Sequence, residues 1–510
     1  FFFELWPKLK PYSLAYFNIN EYFCISKPLI VGRMNTMNII GRKREQEQLT
    51  QIVNSGRPEF AVIYGRRRVG KTFLVNTYFK DKFGFKYTGV AKKGIKVQLE
   101  RFATELCRYG LSDLPTPKTW FEAFDCLREL LEKDKSGKSR QVVFIDELPF
   151  MDSQRSNLVP ALENFWNSWG CMQSRLLLIV CGSATTWITH KIIKNHGGLH
   201  NRLTARIKLH PFALSETRQH LRALKVNFSQ RDILECYMVM GGIPYYQSLL
   251  QPGLSLAQNI DNLFFNPDGR LADEFENLYA SLFEGSDKYI RIVEALSKKA
   301  KGMTREEIQK AIGATSNGTL TKCLGDLVNC DLIRSYPGYG KTERKAIFQL
   351  VDFYTLFYYR FIHRQPHKPS GYWVHLQGTP KHNTWSGYAF EQLCLAHYSQ
   401  IAKALGISGI LTELYSWSSN QKDGGAQIDL IIKRADRVVN VCEIKYWREP
   451  FRLTQKYIEE LEHKIETFRR ESRVTQAIHL VMITTRGLAN PSFSSLVQRE
   501  INADALFEDA

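Results

Sequence analysis

Short apolar stretches alternate with amphipathic segments between residues 38 and 210. Residues 59–64, 142–145 and 176–183 are mainly apolar, and segments with helical spacing of apolar residues lie between them. Short apolar runs predict strands buried on both faces, and their alternation with helices is typical of a parallel sheet. We therefore expect residues 38–210 to form an α/β core.

From residue 211 to residue 352 the pattern is mainly helical and ends in a predicted hairpin. Helical periodicity over 211–285, with a break at 241–244, predicts a helical lid. Residues 286–352 predict three helices and then two strands, and a capping box, Thr304-Arg305-Glu306-Glu307, begins one of the helices. This order favours a winged helix-turn-helix.

The next stretch, residues 353–385, begins with an aromatic helix and continues with many Pro, Gly and His residues. We expect it to be a linker. Its histidines have neither fixed helical spacing nor neighbouring acids, so we interpret them as loop surface rather than metal ligands; they are His363, His367, His375 and His382. Beyond it, residues 386–510 predict helices and several strands, which indicates a second α/β domain.

Residues 1–37 precede the first recognisable pattern. They begin with three phenylalanines, and prolines interrupt their apolar runs, so the order of features typical of a signal peptide is missing. We expect this segment to be an extension outside the domains and assign no function to it.

Charge and cysteine content narrow the classes of partner and compartment. The chain has 69 Lys and Arg against 51 Asp and Glu, a formal net charge of +18. Such a surplus favours polyanions, such as nucleotides, nucleic acid or an anionic membrane surface. The ten cysteines include no CxxC pair, which favours a reduced, cytoplasmic compartment. No apolar run approaches the roughly 20 residues of a membrane span.

A glycine-rich loop follows the first predicted strand and precedes a predicted helix. It matches GxxxxGK[ST], in which backbone N–H groups surround phosphates, the lysine reaches the β- and γ-phosphates, and the hydroxyl binds Mg²⁺. The alternative is a basic glycine turn, which the flanking strand and helix disfavour. The expected ATP-binding residues are Gly65, Arg66, Arg67, Arg68, Val69, Gly70, Lys71 and Thr72.

An acidic pair closes the strand 142–145. We expect Asp146 to hold Mg²⁺ together with Thr72, and Glu147 to orient or deprotonate the attacking water. Ser183, at the end of the next apolar strand, is expected to contact the γ-phosphate or that water. A solvated strand end is the alternative for the acidic pair.

These motifs together resemble the archaeal-type ATPases, P-loop proteins related to the AAA and STAND groups. The resemblance rests on Ile40-Gly41-Arg42-x-x-Glu45, the phosphate loop, Ile145-Asp146-Glu147 and Gly241-Gly242-Ile243-Pro244-x-Tyr246. It implies that Gly41 and Arg42 border the adenine and that Arg202 faces the phosphates. For Arg202 a solvated basic face is the alternative.

Basic residues outnumber acidic ones in the predicted winged helix, which makes a DNA duplex a candidate partner. Lys322 on the third helix and Lys341, Arg344 and Lys345 on the wing are the expected contacts. The alternative is a lid or protein-contact module.

Two predicted strands near the C-terminus bring acidic residues together. Glu443 and Lys445 are two positions apart and share a strand face, and Asp429 approaches from the neighbouring strand. Two carboxylates that hold Mg²⁺ beside a lysine suit phosphodiester hydrolysis. With Glu391 on the preceding helix, the pattern is similar to the PD-(D/E)xK restriction-endonuclease-like superfamily, which implies catalytic Glu391, Asp429, Glu443 and Lys445, with Asp429 and Glu443 binding metal. A polar rim on a small sheet is the alternative.

The combined prediction is an ATP- and Mg²⁺-dependent P-loop ATPase that a winged helix connects to a nuclease-like domain acting on DNA. The competing hypothesis is a nucleotide-switched scaffold or signalling ATPase without DNA chemistry, whose C-terminal domain docks a protein partner or a second copy of the chain. A membrane partner is disfavoured.

Overall fold

The computed structural model describes residues 38–509 except 113, 135–138, 196, 315–316, 340–345, 364–368, 370, 420–425 and 490–495. The chain divides into two units, Phe1–Ile39 and Ile40–Ala510. Only residues 38 and 39 of the first unit are described, so the extension predicted over 1–37 lies outside the described residues. No helix in the described part is both long and apolar enough to cross a membrane.

Within the described residues, a five-stranded parallel sheet forms the centre of the N-terminal half, as the apolar pattern predicts. The strand order is β2-β3-β4-β1-β5. The central strands are buried along almost their whole length, which explains why they lack alternation of polar and apolar residues. The strands are β1 (Glu59–Tyr64), β2 (Phe85–Thr88), β3 (Gln141–Asp146), β4 (Leu176–Gly182) and β5 (Ala205–Lys208).

Helices with apolar stripes pack on this sheet and create an aromatic core. Phe102 and Trp120 are fully buried, with ring centroids 5.6 Å apart, and Phe60 contacts Trp166 at 5.1 Å. The helices are α1 (Lys43–Asn54), α2 (Lys71–Phe79), α3 (Ile95–Arg108), α4 (Trp120–Glu132), α5 (Leu158–Ser168) and α6 (Thr185–Ile188).

The segment predicted as a lid, 211–285, is helical. Tyr237 packs against His397 and Phe353, both from later in the chain, so the lid connects the core to the C-terminal half. Its helices are α7 (Leu214–Ala223), α8 (Gln230–Met240), α9 (Pro244–Gln247), α10 (Leu256–Ile260) and α11 (Glu274–Leu282).

Residues 286–352, the three-helix module, contain the helices and hairpin strands that a winged helix requires. The capping box at Thr304 is present, with the Glu307 side chain accepting from the Thr304 amide at 2.8 Å. The wing residues Lys341, Arg344 and Lys345 lie outside the described residues, so the winged-helix assignment stays a prediction. The elements are α12 (Asp287–Ser297), β6 (Met303–Thr304), α13 (Arg305–Ile312), α14 (Asn317–Asn329), β7 (Ile333–Tyr336) and β8 (Ile347–Leu350), with sheet order β6-β8-β7.

The expectation of a linker over 353–385 is wrong for the part that the structure describes. Phe357 and Trp373 are fully buried, and their rings meet at 5.1 Å. His382, expected on a loop surface, is 2% exposed and lies 3.4 Å from the Glu235 carboxylate. The Pro and Gly residues of this stretch indicate a linker, but its aromatic side chains pack against one another and form a buried cluster. The helices are α15 (Phe353–Phe361), α16 (Tyr372–Leu376), α17 (Pro380–Ala396) and α18 (Tyr398–Ala404).

A second, mixed sheet lies in the C-terminal part of the chain, and the assignment of residues 386–510 as a separate domain stays a prediction. Its order is β13-β12-β11-β10-β9, antiparallel from β9 to β11 and parallel from β11 to β13. Val439 and Val441 face one helix through Leu461 and Phe468. The elements are β9 (Thr412–Ser418), β10 (Gln427–Arg434), β11 (Val438–Lys445), α19 (Gln455–Ser472), β12 (Ala477–Thr484) and β13 (Val497–Asn502).

Candidate nucleotide site and C-terminal carboxylate cluster

The phosphate loop, residues 65–72, lies between β1 and α2, in the middle of the parallel sheet. Gly65 has φ +144°, and a Cβ there would overlap the Leu209 carbonyl oxygen, so only glycine fits. Lys71 is 5% exposed, and its ammonium donates to the Gly65 and Arg66 carbonyls, both at 3.0 Å. The lysine that is expected to reach the phosphates is thus held inside the loop.

The acidic end of β3 meets the start of α2 at the carboxyl edge of the sheet. The Thr72 hydroxyl donates to one oxygen of Asp146 at 2.7 Å, and the Glu147 amide donates to the other at 2.9 Å. A hydroxyl and a carboxylate are the hard oxygen donors that Mg²⁺ takes in nucleotide sites, so this pair fits the metal that the motif implies. Asp146 is 2% exposed, which does not agree with a merely solvated strand end.

Glu147 is held by the end of the neighbouring strand. The amide and hydroxyl of Ser183 both donate to its Oε2 atom, at 3.0 Å and 2.9 Å. The backbone of Glu147 is left-handed, with φ +46°, so the side chain leaves the strand in a direction that regular strand geometry would not give. Ser183 thus orients the glutamate, and its predicted contact with the γ-phosphate or the attacking water stays a prediction.

The expected adenine-bordering residues connect the loop to the lid. The Arg42 guanidinium donates to the Val69 carbonyl at 3.0 Å and lies 4.6 Å from the ring centre of Phe212. Its amide donates to Glu216 at 2.7 Å, and a Cβ at Gly41 would overlap that carboxylate. Sequence reasoning missed Glu216 and Phe212, because only the folded lid brings them to the loop.

Two of the three loop arginines pair with acids outside the loop. Arg66 forms an ion pair with Asp352, and both side chains are 2% exposed. The Arg68 guanidinium lies 2.5 Å from Glu274 and stacks 4.5 Å from the ring centre of Tyr245. No sequence signal marked Asp352 or Glu274 as partners of the loop.

The structure does not agree with the expectation that Arg202 faces the phosphates of its own chain. Arg202 is exposed and precedes β5, and the nearby Thr204 amide donates to the carbonyl of Phe60 at 2.9 Å. Phe60 is the second residue of β1, whereas the phosphate loop follows its last residue, Tyr64. Because the strands are parallel, Arg202 lies at the opposite edge of the sheet, and its surroundings agree with the alternative of a solvated basic face.

The C-terminal acids lie on one face, as their spacing predicts. Strands β10 and β11 are antiparallel, and Leu430 pairs with Cys442. The next position along each strand therefore places Asp429 opposite Glu443. Both oxygens of Glu443 are engaged: Tyr457 donates to Oε1 and Lys464 to Oε2, each at 2.7 Å. Lys445 also reaches Oε1 at 3.0 Å. Sequence reasoning missed Tyr457 and Lys464 on α19.

Burial and mutual repulsion act differently on the three acids. Burial and the nearby Asp429 raise the pKa of Glu391 to about 8. Burial and the charge of Glu443 likewise raise the pKa of Asp429. Burial opposes ionisation of Glu443 as well, but Lys464 and Lys445 lower its pKa. The acids therefore share one electrostatic environment in which Glu443 holds the negative charge most readily.

This cluster does not fit a metal ion in the arrangement observed. No group of three His, Cys, Asp or Glu side chains among the described residues is placed to hold one. Glu443 would first have to exchange its lysine partners, Lys464 and Lys445, for the metal. The expected metal role of Asp429 and Glu443 therefore stays a prediction.

The hairpin of the three-helix module contacts the C-terminal sheet. The Tyr339 amide donates to the Ser416 carbonyl on the edge strand β9 at 3.2 Å. Its ring lies 5.2 Å from Tyr415 and 5.1 Å from Phe468. The start of the predicted wing is thus docked within the protein, while the predicted duplex contact Lys322 is exposed on α14.

Comparison with known proteins identifies the N-terminal half. Residues 39–250 match the family described as an ATPase domain predominantly from Archaea. An uncharacterised protein of Methanocaldococcus jannaschii, MJECL04, is 23% identical over 417 residues, which cover 80% of this chain and 88% of that protein. The similarity to this relative therefore extends well beyond the ATPase domain.

Two solved structures are similar at low identity. The Walker-type ATPase PABY2304 of Pyrococcus abyssi is 17% identical, covers 63% of this chain and 96% of its own, and has a TM-score of 0.44. The ADPNP–ADP complex of the ORC2 protein of Aeropyrum pernix is 16% identical, covers 72% and 98%, and has a TM-score of 0.40. Residues 39–250 therefore match an archaeal-type ATPase domain, and their phosphate loop lies at the carboxyl end of β1 in the parallel sheet.

Proposed function

We propose that the protein is an Mg²⁺-dependent ATPase whose nucleotide state controls DNA binding by its C-terminal half. The observation on which this rests is the ion pair between Arg66 of the phosphate loop and Asp352. Asp352 caps α15 by accepting from the Thr355 amide at 3.0 Å. A change in the loop on nucleotide binding therefore acts directly on the first helix of the C-terminal half.

The residues of the nucleotide site divide the chemistry among them. The Lys71 ammonium exchanges its carbonyl partners for the β- and γ-phosphates, and Thr72 and Asp146 hold Mg²⁺. When bound, Mg²⁺ neutralises phosphate charge. Glu147 orients the attacking water and accepts its proton, and Ser183 keeps the glutamate in position.

A second contact transmits the state of the loop to the lid. Arg68 pairs with Glu274, which also accepts from the Tyr246 hydroxyl at 2.8 Å. Tyr246 and Glu274 are both buried. Phosphates that enter the loop compete with Glu274 for the Arg68 guanidinium. The contact between loop and lid therefore weakens when nucleotide binds and re-forms when nucleotide leaves.

For the C-terminal domain we propose a restriction-endonuclease-like fold that binds DNA. The acid–lysine order Glu391, Asp429, Glu443, Lys445 on a helix and two paired strands supports it. The net charge of +18 and the exposed Lys322 support a polyanionic partner. Phosphodiester cleavage is the chemistry for which such a cluster would be suited if Glu443 exchanged Lys464 and Lys445 for a metal ion.

The competing function, a nucleotide-switched scaffold without DNA chemistry, is favoured by two specific observations. Lys464 and Lys445 neutralise Glu443, and Tyr339 of the predicted wing is packed against the C-terminal sheet. Both features suit a closed module that docks another protein.

The experiment that separates them measures DNA binding and nicking by the full-length protein. Fluorescence anisotropy with a labelled duplex at two salt concentrations gives the affinity and its electrostatic part. Nicking of plasmid DNA with Mg²⁺ or Mn²⁺ is compared between the wild type, Asp429→Asn and a control, Glu462→Gln on exposed α19 surface. Salt-dependent binding supports the proposal, and nicking lost only in Asp429→Asn adds cleavage. Absence of DNA binding in every nucleotide state favours the scaffold.

A further inference from the structure

A cavity of about 340 Å³ lies where four parts of the chain meet. The phosphate loop, the lid, the three-helix module and the end of α17 all contribute to its wall. Its volume lies in the range of about 300 to 1,000 Å³ that is typical of small-molecule sites. The polar side chains in the wall are Arg66, His210, Tyr237, Asp331, Arg334, Asp352 and Gln392.

The wall has an excess of positive charge. Asp352 is neutralised by Arg66, and Asp331 by Lys208, whose ammonium lies 2.7 Å away. Arg334 pairs with no carboxylate in the part of the chain that the structure describes, and its guanidinium donates to the neutral amide oxygen of Gln349. An uncompensated cation next to two ion pairs whose charges cancel favours an anion as the missing partner.

Hydrogen-bonding groups in the wall are also left without partners. The Nε and Nη2 atoms of Arg66 are buried and have no hydrogen-bond partner among the described residues, although Nη1 pairs with Asp352. Arg66 is 2% exposed, so these donors lie in the interior next to the cavity. Unpartnered buried donors are rare in proteins and indicate a water, an ion or a ligand.

We propose that this cavity binds a phosphate-bearing anion no larger than a mononucleotide, at a second site that borders the phosphate loop through Arg66. Two guanidinium groups match phosphate oxygens through paired N–H donors. The cavity wall includes Arg66 of the phosphate loop, but none of the residues expected to bind the triphosphate and Mg²⁺ directly or to activate the water: Gly70, Lys71, Thr72, Asp146 and Glu147. The inference goes beyond the proposed ATPase function, because the ligand is a second one.

A ligand in this cavity would contact the phosphate loop, the lid, the three-helix module and the end of α17, and would hold them together. Gln392, near the end of α17, has a buried amide oxygen without a partner among the described residues, and Arg334 belongs to β7. The anion would therefore favour the arrangement in which the C-terminal half is docked on the loop, and it would act as an effector of the ATPase.

The test is calorimetric titration of full-length protein with sodium pyrophosphate. Lys71→Ala removes binding at the phosphate loop, and we expect one pyrophosphate site to remain. Adding Arg334→Gln to Lys71→Ala should weaken that site by at least about tenfold, since a charge-assisted pair is lost. Adding Arg202→Gln, an exposed arginine at the other edge of the sheet, should leave it unchanged.

Two further measurements separate loss of the guanidinium from loss of the fold. Arg334→Lys keeps the positive charge but loses the paired N–H donors of the guanidinium. A folded Arg334→Lys variant should therefore bind pyrophosphate about threefold more weakly. The single variant Arg334→Gln should bind ATP as the wild type does. If Lys71→Ala abolishes all pyrophosphate binding, or if Arg334→Gln and Arg334→Lys leave the affinity unchanged, the second site does not exist.

Discussion

Arg66 and Asp352, 286 positions apart in the chain, form a fully buried ion pair in which each side chain is 2% exposed. Arg66 is the second residue of the phosphate loop, and Asp352 caps the helix that leads into the C-terminal half. The pair therefore joins the part of the ATPase that senses phosphate to the part predicted to meet DNA.

Removing one member of this pair should destabilise the protein strongly. Asp352→Asn leaves a buried arginine without its counter-ion and weakens the cap of α15, so we expect a loss of about 3–5 kcal/mol in the free energy of unfolding. Urea unfolding measures it. The matched control is Asp509→Asn, which breaks the exposed pair with Lys43 and should cost less than about 1 kcal/mol. Equal effects of the two substitutions would contradict the assignment.

Glu147 and Ser183 should affect turnover rather than nucleotide binding. Glu147→Gln should lower kcat for ATP hydrolysis by about 10² or more, because the water loses its base. Ser183→Ala removes one of the two donors to Glu147 and should cause a smaller loss with an unchanged Kd for ATP. The control is Ser168→Ala at an exposed helix end. Turnover in Glu147→Gln equal to the wild type would remove the glutamate from the mechanism.

Stability should depend on pH through Glu391. Burial and Asp429 raise its pKa to about 8 from an ordinary value of 4.5, so the folded protein keeps a proton that the unfolded chain releases. Its contribution to the free energy of unfolding is present below pH 4.5 and is lost as pH rises to about 8. Glu391→Gln stays neutral and avoids this loss.

Relative to the wild type, Glu391→Gln should therefore gain about 4 kcal/mol in the free energy of unfolding between pH 5 and pH 9, at about 1.4 kcal/mol for each unit of a shift of this size. Urea unfolding at both pH values measures it, with the exposed Glu462→Gln as the control. A difference between Glu391→Gln and the wild type that does not change with pH would show that Glu391 titrates normally.

The contact of Tyr339 with the C-terminal sheet should hold the predicted wing in place. Tyr339→Ala removes a half-buried ring packed against Tyr415 and Phe468, and we expect a loss of about 1–2 kcal/mol. Limited proteolysis should then cut faster between β7 and β8. Tyr388→Ala, which removes a ring 49% exposed, is the control. Unchanged cleavage would mean that the contact does not restrain the hairpin.

The sequence predicted those parts of the site that depend on local order. The phosphate loop is one continuous segment, and the carboxyl ends of parallel strands bring Asp146 and Ser183 to it. The two-residue period of a strand likewise placed Asp429 opposite Glu443. These predictions need only strand direction and side-chain alternation.

The rest depended on which surfaces meet in three dimensions. Asp352 and Glu274 lie far from the loop in sequence, so no motif connects them to Arg66 and Arg68. The family resemblance implies that Arg202 faces the phosphates, but the register of β5 against β1 places this residue at the opposite edge of the sheet. The buried Trp373 shows that aromatic packing outweighed the Pro and Gly signals over 353–385.

The central claim is that nucleotide in the phosphate loop changes how the C-terminal half binds DNA. The direct measurement is the affinity of the full-length protein for a labelled duplex with ATPγS, with ADP and without nucleotide, in the wild type and in Lys71→Ala. We expect the wild-type affinity to differ between states by at least about fivefold, as allosteric coupling typically gives, and to be constant in Lys71→Ala. Equal affinities of the nucleotide-loaded and nucleotide-free wild type would contradict the account.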